Sequence, residues 1–382
     1  MNDRAIVAIV RCTEYAAEAV CAAVRQGLGM LGGVERFVRP GERILLKPNM
    51  LAPDPPERCV TTHPSVLRAV GQVFQEAGAQ FSWGDSPALV KPATVGRKSG
   101  LAEAAAALGI PMADFAAART VSYPDGAQNK QFRVVEAALD AGGIVNLSKL
   151  KTHALTRLTG AVKNLFGCVP GMLKAEFHVR LPDPEFFGRM LVDLASLLQP
   201  RLHIMDAIVA MEGNGPRGGT PRPVGALLFS TDPVALDATA SRLIGLKPEY
   251  VPTTAAGEAA GLGVAQAGAI EIVGEALDSV AVTGFDVVNK PPDTLPRQGI
   301  MRLVRDHVVP RPVIVAERCT RCGQCIMVCP TTPKSVDWHR GDKEHPPVHI
   351  YKTCIRCYCC QEVCPESAIV IKTPWLGRLL PR

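Results

Sequence analysis

The long N-terminal region alternates short runs of β-branched and other apolar residues with longer segments of helical periodicity. This alternation is typical of α/β proteins, in which helices cross over between the strands of a mostly parallel sheet. The pattern therefore predicts an α/β fold with a mostly parallel sheet and flanking helices. The predicted strands cover residues 5–10, 43–46, 80–83, 144–147, 202–205, 224–229, 270–273 and 280–283.

Helical periodicity predicts helices over residues 14–30, 64–78, 101–108 and 233–244. Pro64 suits the first position of its helix, because a proline has no N–H group to leave unsatisfied there. Thr62 or His63 can cap that helix with a side-chain acceptor.

The pattern changes beyond residue 288. Residues 289–312 contain five prolines and no strand-like run before Val313, which predicts a linker with a short amphipathic helix over residues 301–309. The chain is thus predicted to have an α/β domain over residues 1–288, the linker over 289–312, a small α+β domain over 313–372 and an apolar, basic tail over 373–382.

Composition and charge exclude several classes of protein. Apolar residues make up 47% and charged residues 20%, as in ordinary globular proteins. The N-terminal apolar run is too short for a signal peptide, and no run is long enough to span a membrane. From Arg297 to Arg382, 14 Lys and Arg face 7 Asp and Glu, but no stacking aromatic residues interleave with them. A nucleic-acid partner is therefore not expected.

Eight cysteines near the C-terminus form two copies of the pattern Cys-x2-Cys-x2-Cys-x3-Cys-Pro, displaced by 35 positions. This spacing lets a tight loop wrap three thiolates around one [4Fe–4S] cluster, while the fourth cysteine ligates the other cluster. The region resembles the bacterial two-cluster ferredoxins over about sixty residues. The rule predicts two [4Fe–4S] clusters, the first held by Cys319, Cys322, Cys325 and Cys364, and the second by Cys354, Cys357, Cys360 and Cys329.

Zinc and disulfides are the alternative roles for these cysteines. Zinc sites usually pair two short knuckles and need no third cysteine at the same spacing followed by Cys-Pro. Cys359 is ambiguous because it adjoins Cys360, and we expect it to be a neighbour of the cluster rather than a ligand. Iron–sulfur clusters require a reducing compartment, so we expect the protein in the cytoplasm.

Polar residues follow several of the predicted strands. Lys47 and Asn49 follow one strand, Asp85 follows another, and Asp206 and Asp232 follow two more. The carboxyl ends of parallel strands meet at one crevice of an open sheet. These residues therefore predict a pocket lined by lysines, carboxylates and amides.

The segment from Asn146 to Gly171 is rich in Lys and small residues. Lys163 lies in an apolar stretch, where a charge is usually paired or functional. Clustered Lys and His suit an anionic substrate or a proton transfer. The catalytic candidates are Lys163, Lys151, His153, Asp206 and Glu212. Solvation of the loop by Lys151, and salt bridges from Asp206 and Glu212 to lysines, are the structural alternatives.

Residues 213–219 are glycine-rich but match neither the phosphate-binding loop nor the dinucleotide-binding fingerprint. We expect a flexible loop over the pocket, with Arg217 able to contact an anion.

Seven short motifs together resemble the family called domain of unknown function 362. They are Lys47-Pro-Asn49, Thr61-Thr-His63-Pro64, Gly84-Asp-Ser86, Lys149-x-Lys151-x-His153, Gly160-x-x-Lys163-Asn164, Glu212-Gly-x-Gly215 and Asp232-Pro233. The resemblance covers most of residues 1–285 and implies the α/β architecture, often with a C-terminal ferredoxin pair. The family is also distantly similar to the lactate racemase superfamily, in which Lys163 would correspond to a lysine that holds a nickel-pincer cofactor. Only His153 lies near it in sequence, so the racemase activity is not carried over.

Three functions are compatible with these features. The first is an iron–sulfur oxidoreductase that transfers electrons to or from a small anionic substrate in the α/β pocket. The second is an electron carrier or assembly partner of a larger redox enzyme. The third is a non-redox, isomerase-like enzyme that acts on an anionic small molecule. The first two require a redox partner protein.

Overall fold

The computed structural model describes residues 4–292 and 301–379, with the side chains of residues 301–304 left aside. Within those ranges the chain forms a large α/β domain followed by a small C-terminal module. The strands are β1 (Ala5–Arg11), β2 (Arg43–Pro48), β3 (Gln80–Trp83), β4 (Ala118–Ser122), β5 (Gln131–Val135), β6 (Gly143–His153), β7 (Arg157–Leu158), β8 (Leu202–Glu212), β9 (Thr220–Ser230), β10 (Ile270–Gly274), β11 (Arg311–Ile314), β12 (Val336–Asp337), β13 (Val348–His349) and β14 (Ile369–Lys372).

Helices flank this sheet and also form part of the C-terminal module. They are α1 (Ala17–Met30), α2 (Pro64–Glu76), α3 (Pro92–Lys98), α4 (Leu101–Ala106), α5 (Glu136–Leu139), α6 (Gly160–Asn164), α7 (Leu173–Arg180), α8 (Pro184–Leu198), α9 (Pro233–Leu243), α10 (Pro252–Ala259), α11 (Leu277–Val280), α12 (Met301–Val308), α13 (Gln324–Val328), α14 (Cys359–Val363) and α15 (Trp375–Leu379).

The central sheet has the strand order β10-β1-β9-β8-β6-β2-β3, and β7 pairs with β6 outside this path. Four of these neighbouring pairs are parallel, and β9 is antiparallel to both β1 and β8. The predicted fold class is confirmed: a mostly parallel sheet with flanking helices, followed by a small module with antiparallel strand pairs. Each face of the sheet packs against helices in its own apolar core.

Seven of the eight strands predicted from hydrophobic runs are present in the central sheet. The helix at Pro64 is capped by His63, whose Nδ1 accepts a hydrogen bond from the backbone N–H of Ser65. Three strands are longer than predicted, however, because β6, β8 and β9 each run for 11 residues. Polar residues expected just beyond β6 and β8 therefore lie within these strands.

The strand predicted over residues 280–283 is wrong. Val280 ends the short helix α11 and packs in the core, and the backbone N–H of Val282 donates to the carbonyl of Leu243 on α9. That hydrogen bond satisfies the backbone without a neighbouring strand.

The C-terminal module begins slightly earlier than predicted, because β11 starts at Arg311 and pairs antiparallel with β14. The predicted amphipathic helix is present as α12. The linker prediction falls partly on residues 293–300, and the tail prediction partly on residues 380–382, which lie outside the described residues. Helix α15 packs on α12, with Gly377 directly against the carbonyl of Val308. In the part of the chain that the structure describes, no helix has the length and apolar character needed to cross a membrane.

Candidate active site and cluster-binding cavities

A cavity of about 110 Å³, here called the central cavity, lies between the α/β domain and the C-terminal module. The α/β domain lines it with Asn49, Asp85, Lys163, Asn164, Lys174 and His178. The module lines it with Gln324, Val328, Cys359, Glu362 and Val363. Because α14 supplies three of these residues, part of the second cysteine repeat forms a wall of the cavity.

Lys163 lies on the short helix α6. The buried carboxylate of Asp237 fixes the first turn of this helix by accepting hydrogen bonds from the backbone N–H groups of Ala161 and Val162. Burial lowers the pKa of Lys163, while the negative charges of Glu362 and neighbouring acids act to raise it. The helix thus presents an ammonium group to a largely dehydrated cavity.

Lys163, which is half-buried, differs from the other lysines in the interior of the α/β domain. Lys47 pairs with Asp85 at 3.1 Å and Lys149 with Asp206 at 2.8 Å. Lys151 and Lys174 donate to backbone carbonyls instead. Lys163 makes no hydrogen bond or ion pair with another of the residues that the structure describes. It is therefore available to a ligand.

His153 connects the α/β domain to the module. Its Nδ1 accepts hydrogen bonds from the backbone N–H groups of Leu155 and Thr156, so the neutral ring carries its proton on Nε2. That Nε2 lies 3.0 Å from Oε1 of Glu362. Burial, aided by the charge of Lys163, lowers the pKa of His153 to about 4. At neutral pH a neutral imidazole therefore faces the Glu362 carboxylate.

Glu362 is ionised in this setting. Burial acts to raise its pKa, but His153 and Lys163 outweigh burial and hold the pKa at about 2. The carboxylate of Glu362 therefore gives the cavity a negative charge from the side of the module.

Two further basic residues complete the wall. Lys174 donates to the carbonyls of Ser86 and Val169, and burial lowers its pKa to about 7. The ring of His178 stacks on that of Phe187, with 4.5 Å between the ring centroids. Burial lowers the pKa of His178 to about 4, and the Nδ1 atom of His178 has no hydrogen-bond partner among the described residues. The cavity thus combines cationic groups with a buried ring nitrogen, Nδ1 of His178, that has no hydrogen-bond partner among the described residues.

The cysteines of the two repeats surround two smaller cavities. The first thiol cavity is lined by Cys319, Cys322, Cys325 and Cys364. The second thiol cavity is lined by Cys329, Cys354, Cys357 and Cys360. Cys359 lines neither; it lines the central cavity.

The internal repeat is visible in the backbone as well. Arg321 and Arg356, which are 35 positions apart, both have a φ of 59°, and Gly323 and Tyr358 have φ values of 72° and 63°. These left-handed residues curl each loop around its thiols. The backbone N–H groups of Ser335 and Ala368 donate to the sulfurs of Cys329 and Cys364. Such N–H···S bonds favour thiolate ligands.

These donors fit a cluster better than a single ion. Within residues 4–292 and 301–379, no three His, Cys, Asp or Glu residues converge closely enough to hold one metal ion. The thiols stand apart around a void, which is the arrangement that a cubane cluster requires.

Comparison with known proteins supports both parts of the chain. The profile of the family described as domain of unknown function (DUF362) matches residues 44–242, and that of a 4Fe-4S dicluster domain matches residues 311–366. The chain belongs to the DUF362 family. Its C-terminal module is a 4Fe–4S cluster-binding domain, so the predicted family and cluster type are confirmed.

One relative of this DUF362 protein is the "Thylakoid-associated protein sll1697" of Synechocystis sp., which is 43% identical over 257 residues, covering 67% of this chain and 79% of that protein. Among solved structures, the lactate racemase apoprotein from Thermoanaerobacterium thermosaccharolyticum aligns with 11% identity and a TM-score of 0.36. That alignment covers 61% of this chain and 56% of the racemase, so the chain spans little more than half of it. A TM-score this low carries no argument about activity.

The DUF362 domain brings only some of the catalytic candidates together. Lys163 lines the central cavity, and His153 contacts the cavity residue Glu362. Burial lowers the pKa of Lys151 to about 7, and the positive charge of Lys163 adds to that effect. Lys151 itself donates to the carbonyl of Val60.

Asp206 and Glu212 do not line the central cavity. Asp206 is buried in a separate cluster, where it pairs with Lys149 and accepts hydrogen bonds from Tyr15 and from the backbone of His63. Glu212, at the end of β8, accepts from the backbone N–H of Asp286. The structural alternative describes Asp206 well, because its partner is a lysine.

The glycine-rich segment is a docking surface, and this corrects the expectation of a flexible loop. Gln361 of the module donates to the carbonyls of Asn214 and Gly215. Arg217 pairs with Asp54 at 2.7 Å and donates to the carbonyl of Val363. Arg217 does line the central cavity, but these partners already hold its guanidinium.

Three residues of the cavity were missed by the sequence analysis: Lys174, His178 and Glu362. A signal existed for Glu362. The equivalent position of the first repeat holds Met327, so a charged residue replaces an apolar one where the two copies otherwise align. Nothing comparable marked Lys174 or His178.

Proposed function

We propose that this protein carries two [4Fe–4S] clusters and transfers electrons to or from a small anionic substrate bound in the central cavity. The observation that carries the proposal is that Cys359 and Glu362, from the second cysteine repeat, line the same cavity as Lys163. A substrate bound at Lys163 would lie against the loop that holds the second cluster.

The proposed ligands follow the two thiol cavities. Cys319, Cys322, Cys325 and Cys364 would hold the first cluster, and Cys354, Cys357, Cys360 and Cys329 the second. Each set takes three cysteines from one repeat and the fourth from the other, as the sequence predicts. When bound, each cluster supplies one-electron transfer.

Lys163 would bind the anionic group of the substrate. Its ammonium has no hydrogen-bond or ion-pair partner among the described residues, and an anion in this cavity would meet the positive charge with little competition from water. Burial lowers the pKa of Lys163, and an anion beside it would favour the charged form. His153 and Glu362 would orient the substrate and exchange protons with it, which assigns Lys163 and His153 roles in catalysis.

A redox partner protein would exchange electrons at the first repeat. Cys322 is exposed, as is Met327 beside that loop, whereas Cys357, Cys359 and Cys360 of the second repeat are buried. The first cluster would therefore face solvent and a partner, and the second would face the central cavity.

We place the protein in the cytoplasm. The cysteines of the described residues are all free thiols. Iron–sulfur clusters persist in reducing compartments, which is where free thiols also persist. Fractionation of cells followed by immunoblotting tests this placement, and recovery of the protein in the membrane fraction would contradict it.

The cluster assignment is tested by iron and sulfide analysis of protein prepared anaerobically. The native protein should contain about eight irons and eight sulfides. Cys364→Ala should lose about half of the iron or fail to hold either cluster. Cys359→Ala is the matched control, because Cys359 adjoins the ligands but lines neither thiol cavity. A loss of iron in Cys359→Ala, or stoichiometric zinc in the native protein, would contradict the assignment.

The role of the central cavity is tested by electron paramagnetic resonance of the reduced protein, with oxalate and acetate as probes. Either probe should perturb the cluster signal, and Lys163→Ala should abolish that perturbation with iron content unchanged. Lys98→Gln, at an exposed position on α3, should respond like the native protein. An equal response in Lys163→Ala would favour an electron carrier whose α/β domain takes no part in redox chemistry.

A further inference from the structure

A second cavity, of about 380 Å³, lies at another part of the junction between the α/β domain and the C-terminal region. We call it the arginine cavity. Its charged and polar walls include Arg157, Lys290, Arg305, Arg356, Tyr358 and His153. The four cations among these do not line the central cavity. The two cavities therefore have separate basic groups, although His153 lies close to both.

Positive charge dominates the arginine cavity. Asp286 is the one carboxylate among its described lining residues, and Asp306 lies nearby in an ion pair with Arg356 at 2.7 Å. Arg157, Arg305 and Arg356 are each at least nine-tenths buried. Arg305 and Arg356 are both buried, and among the described residues Arg356 has one carboxylate partner, Asp306; burying guanidinium groups with so little counter-charge is costly.

The three arginines line the cavity together with Tyr358, whose hydroxyl donates to the carbonyl of Pro310. Arg157 donates to the carbonyls of Ala154, Lys290 and Pro291. Burial lowers the pKa of Arg305, and the charge of Arg356 adds to that effect. Arg305 and Arg356 therefore carry like charges that repel each other.

Among the described residues, Arg356 and Arg305 are the buried arginines that keep donors without a partner. Nη2 of Arg356 donates to Asp306, but Nε and Nη1 of Arg356 are buried without a hydrogen-bond partner. Arg305 donates one long bond, of 3.4 Å, to the carbonyl of Ile355. The Arg356 guanidinium lies over the ring of Tyr351, with its Cζ 5.0 Å from the ring centroid, but its two unused donors still lack the hydrogen bonds that they would have in water.

These donors do not face the second thiol cavity. Arg356 lies in sequence between Cys354 and Cys357, so a contact with cluster sulfur is the obvious alternative. The second thiol cavity is lined by the neighbouring Ile355, Cys357 and Tyr358, however, and not by Arg356. Arg356 lines the arginine cavity instead.

We propose that the arginine cavity binds a small molecule through a phosphate group. A guanidinium offers paired N–H donors that match two oxygens of a phosphate, and Arg305, Arg356 and Lys290 offer positive charge to it from the walls of the cavity. The volume leaves room for an organic part beside the phosphate. This site is separate from the proposed substrate site at Lys163.

Calorimetric titration of the holoprotein with inorganic phosphate and pyrophosphate, at constant ionic strength set with sodium chloride, tests the proposal. Saturable binding of one equivalent is expected. Lys290→Gln should weaken it roughly threefold to tenfold, and Arg305→Gln by roughly tenfold or more. Lys98→Gln should bind like the native protein. Lys163→Ala, which alters the central cavity alone, should also bind like the native protein.

Absence of saturable heat at millimolar phosphate, or native affinity in both Lys290→Gln and Arg305→Gln, would overturn the proposal. Lys290 is exposed, so its variant remains informative even where Arg305→Gln does not fold. Loss of phosphate binding in Lys163→Ala would also overturn it, since the anion would then occupy the central cavity. Failure of the oxalate response at Lys163 would leave this site unaffected, so the two proposals fail independently.

Discussion

Individual buried lysines in this protein have different roles, and their partners distinguish those roles. A buried ammonium paired with a carboxylate, such as Lys149 with Asp206, holds two strands and a loop together. An ammonium that lines a cavity and has no partner among the described residues makes no such structural contribution and is available to an anionic ligand. Lys163 is of the second kind.

Histidines in the core make stability depend on pH. His203 on β8 is fully buried, its Nδ1 lies 2.9 Å from Nδ2 of Asn146, and burial lowers its pKa from 6.5 to about 3. Between pH 7 and pH 5 the unfolded chain takes up a proton at this residue and the native protein does not. Stability therefore falls as the pH falls, by about 2 kcal/mol from His203 alone.

His203→Asn should reduce this pH dependence, because asparagine offers an acceptor but does not titrate. Urea unfolding under anaerobic conditions at pH 7 and pH 5 measures the difference. His339→Asn, at an exposed position, should keep the native pH dependence. An equal loss of stability in native protein and His203→Asn would contradict the prediction.

Sequence predicted the apolar residues of the strands well and the buried charges poorly. The runs at Ile44–Leu46 and Leu227–Phe229 are apolar and lie in the sheet as expected. Lys149 and Lys151 suggested that β6 had ended, since lysine is rarely buried. Their partners, Asp206 and Val60, lie far away in the sequence, and only the folded chain brings them together.

At the scale of elements, the bulges of β6 and β8 carry polar residues into the interior. The register between these strands shifts between Lys149 and Lys151, opposite Asp206 and Met211. A bulge redirects side chains that strict alternation would place on the other face. The strands can therefore remain paired while Lys149 and Lys151 point into separate polar environments.

Helix α6 depends on a glycine at its start. Gly160 has a φ of +60°, and a Cβ there would lie 2.5 Å from the Asp237 carboxylate. Gly160→Ala should therefore combine left-handed backbone strain of about 1 kcal/mol with a steric cost of roughly 1–3 kcal/mol. Denaturant unfolding of Gly160→Ala measures the sum of these two costs.

Gly109→Ala is the matched control, because Gly109 has a φ of +66° and open space around its Cβ position. Its destabilisation should be limited to the backbone term. If both substitutions cost the same, contact with Asp237 does not fix α6. A weaker oxalate response in Gly160→Ala would further link this turn to the position of Lys163.

At the scale of the whole molecule, the module is bound to the α/β domain by polar contacts that enclose the central cavity. Gln361, His153 with Glu362, and Arg217 with Val363 span the junction. Asn214 also donates to the carbonyl of Ile369 on β14. None of these contacts was foreseen, because each joins segments that no local sequence pattern relates.

Gln361 is the sharpest test of this junction, because its Nε2 donates to the carbonyls of Asn214 at 2.7 Å and Gly215 at 3.1 Å. Gln361→Met keeps the length of the side chain and removes the donor, so those carbonyls lose their partner at a cost of about 1–3 kcal/mol. Gln361 lies outside both thiol cavities, so iron content should stay native. The melting temperature should fall and the oxalate response should weaken, because the cluster loop is no longer held against Lys163.

Gln131→Met, at an exposed position on β5, should change neither property. If Gln361→Met kept the full oxalate response, communication between the cavity and the clusters would not depend on how the module docks.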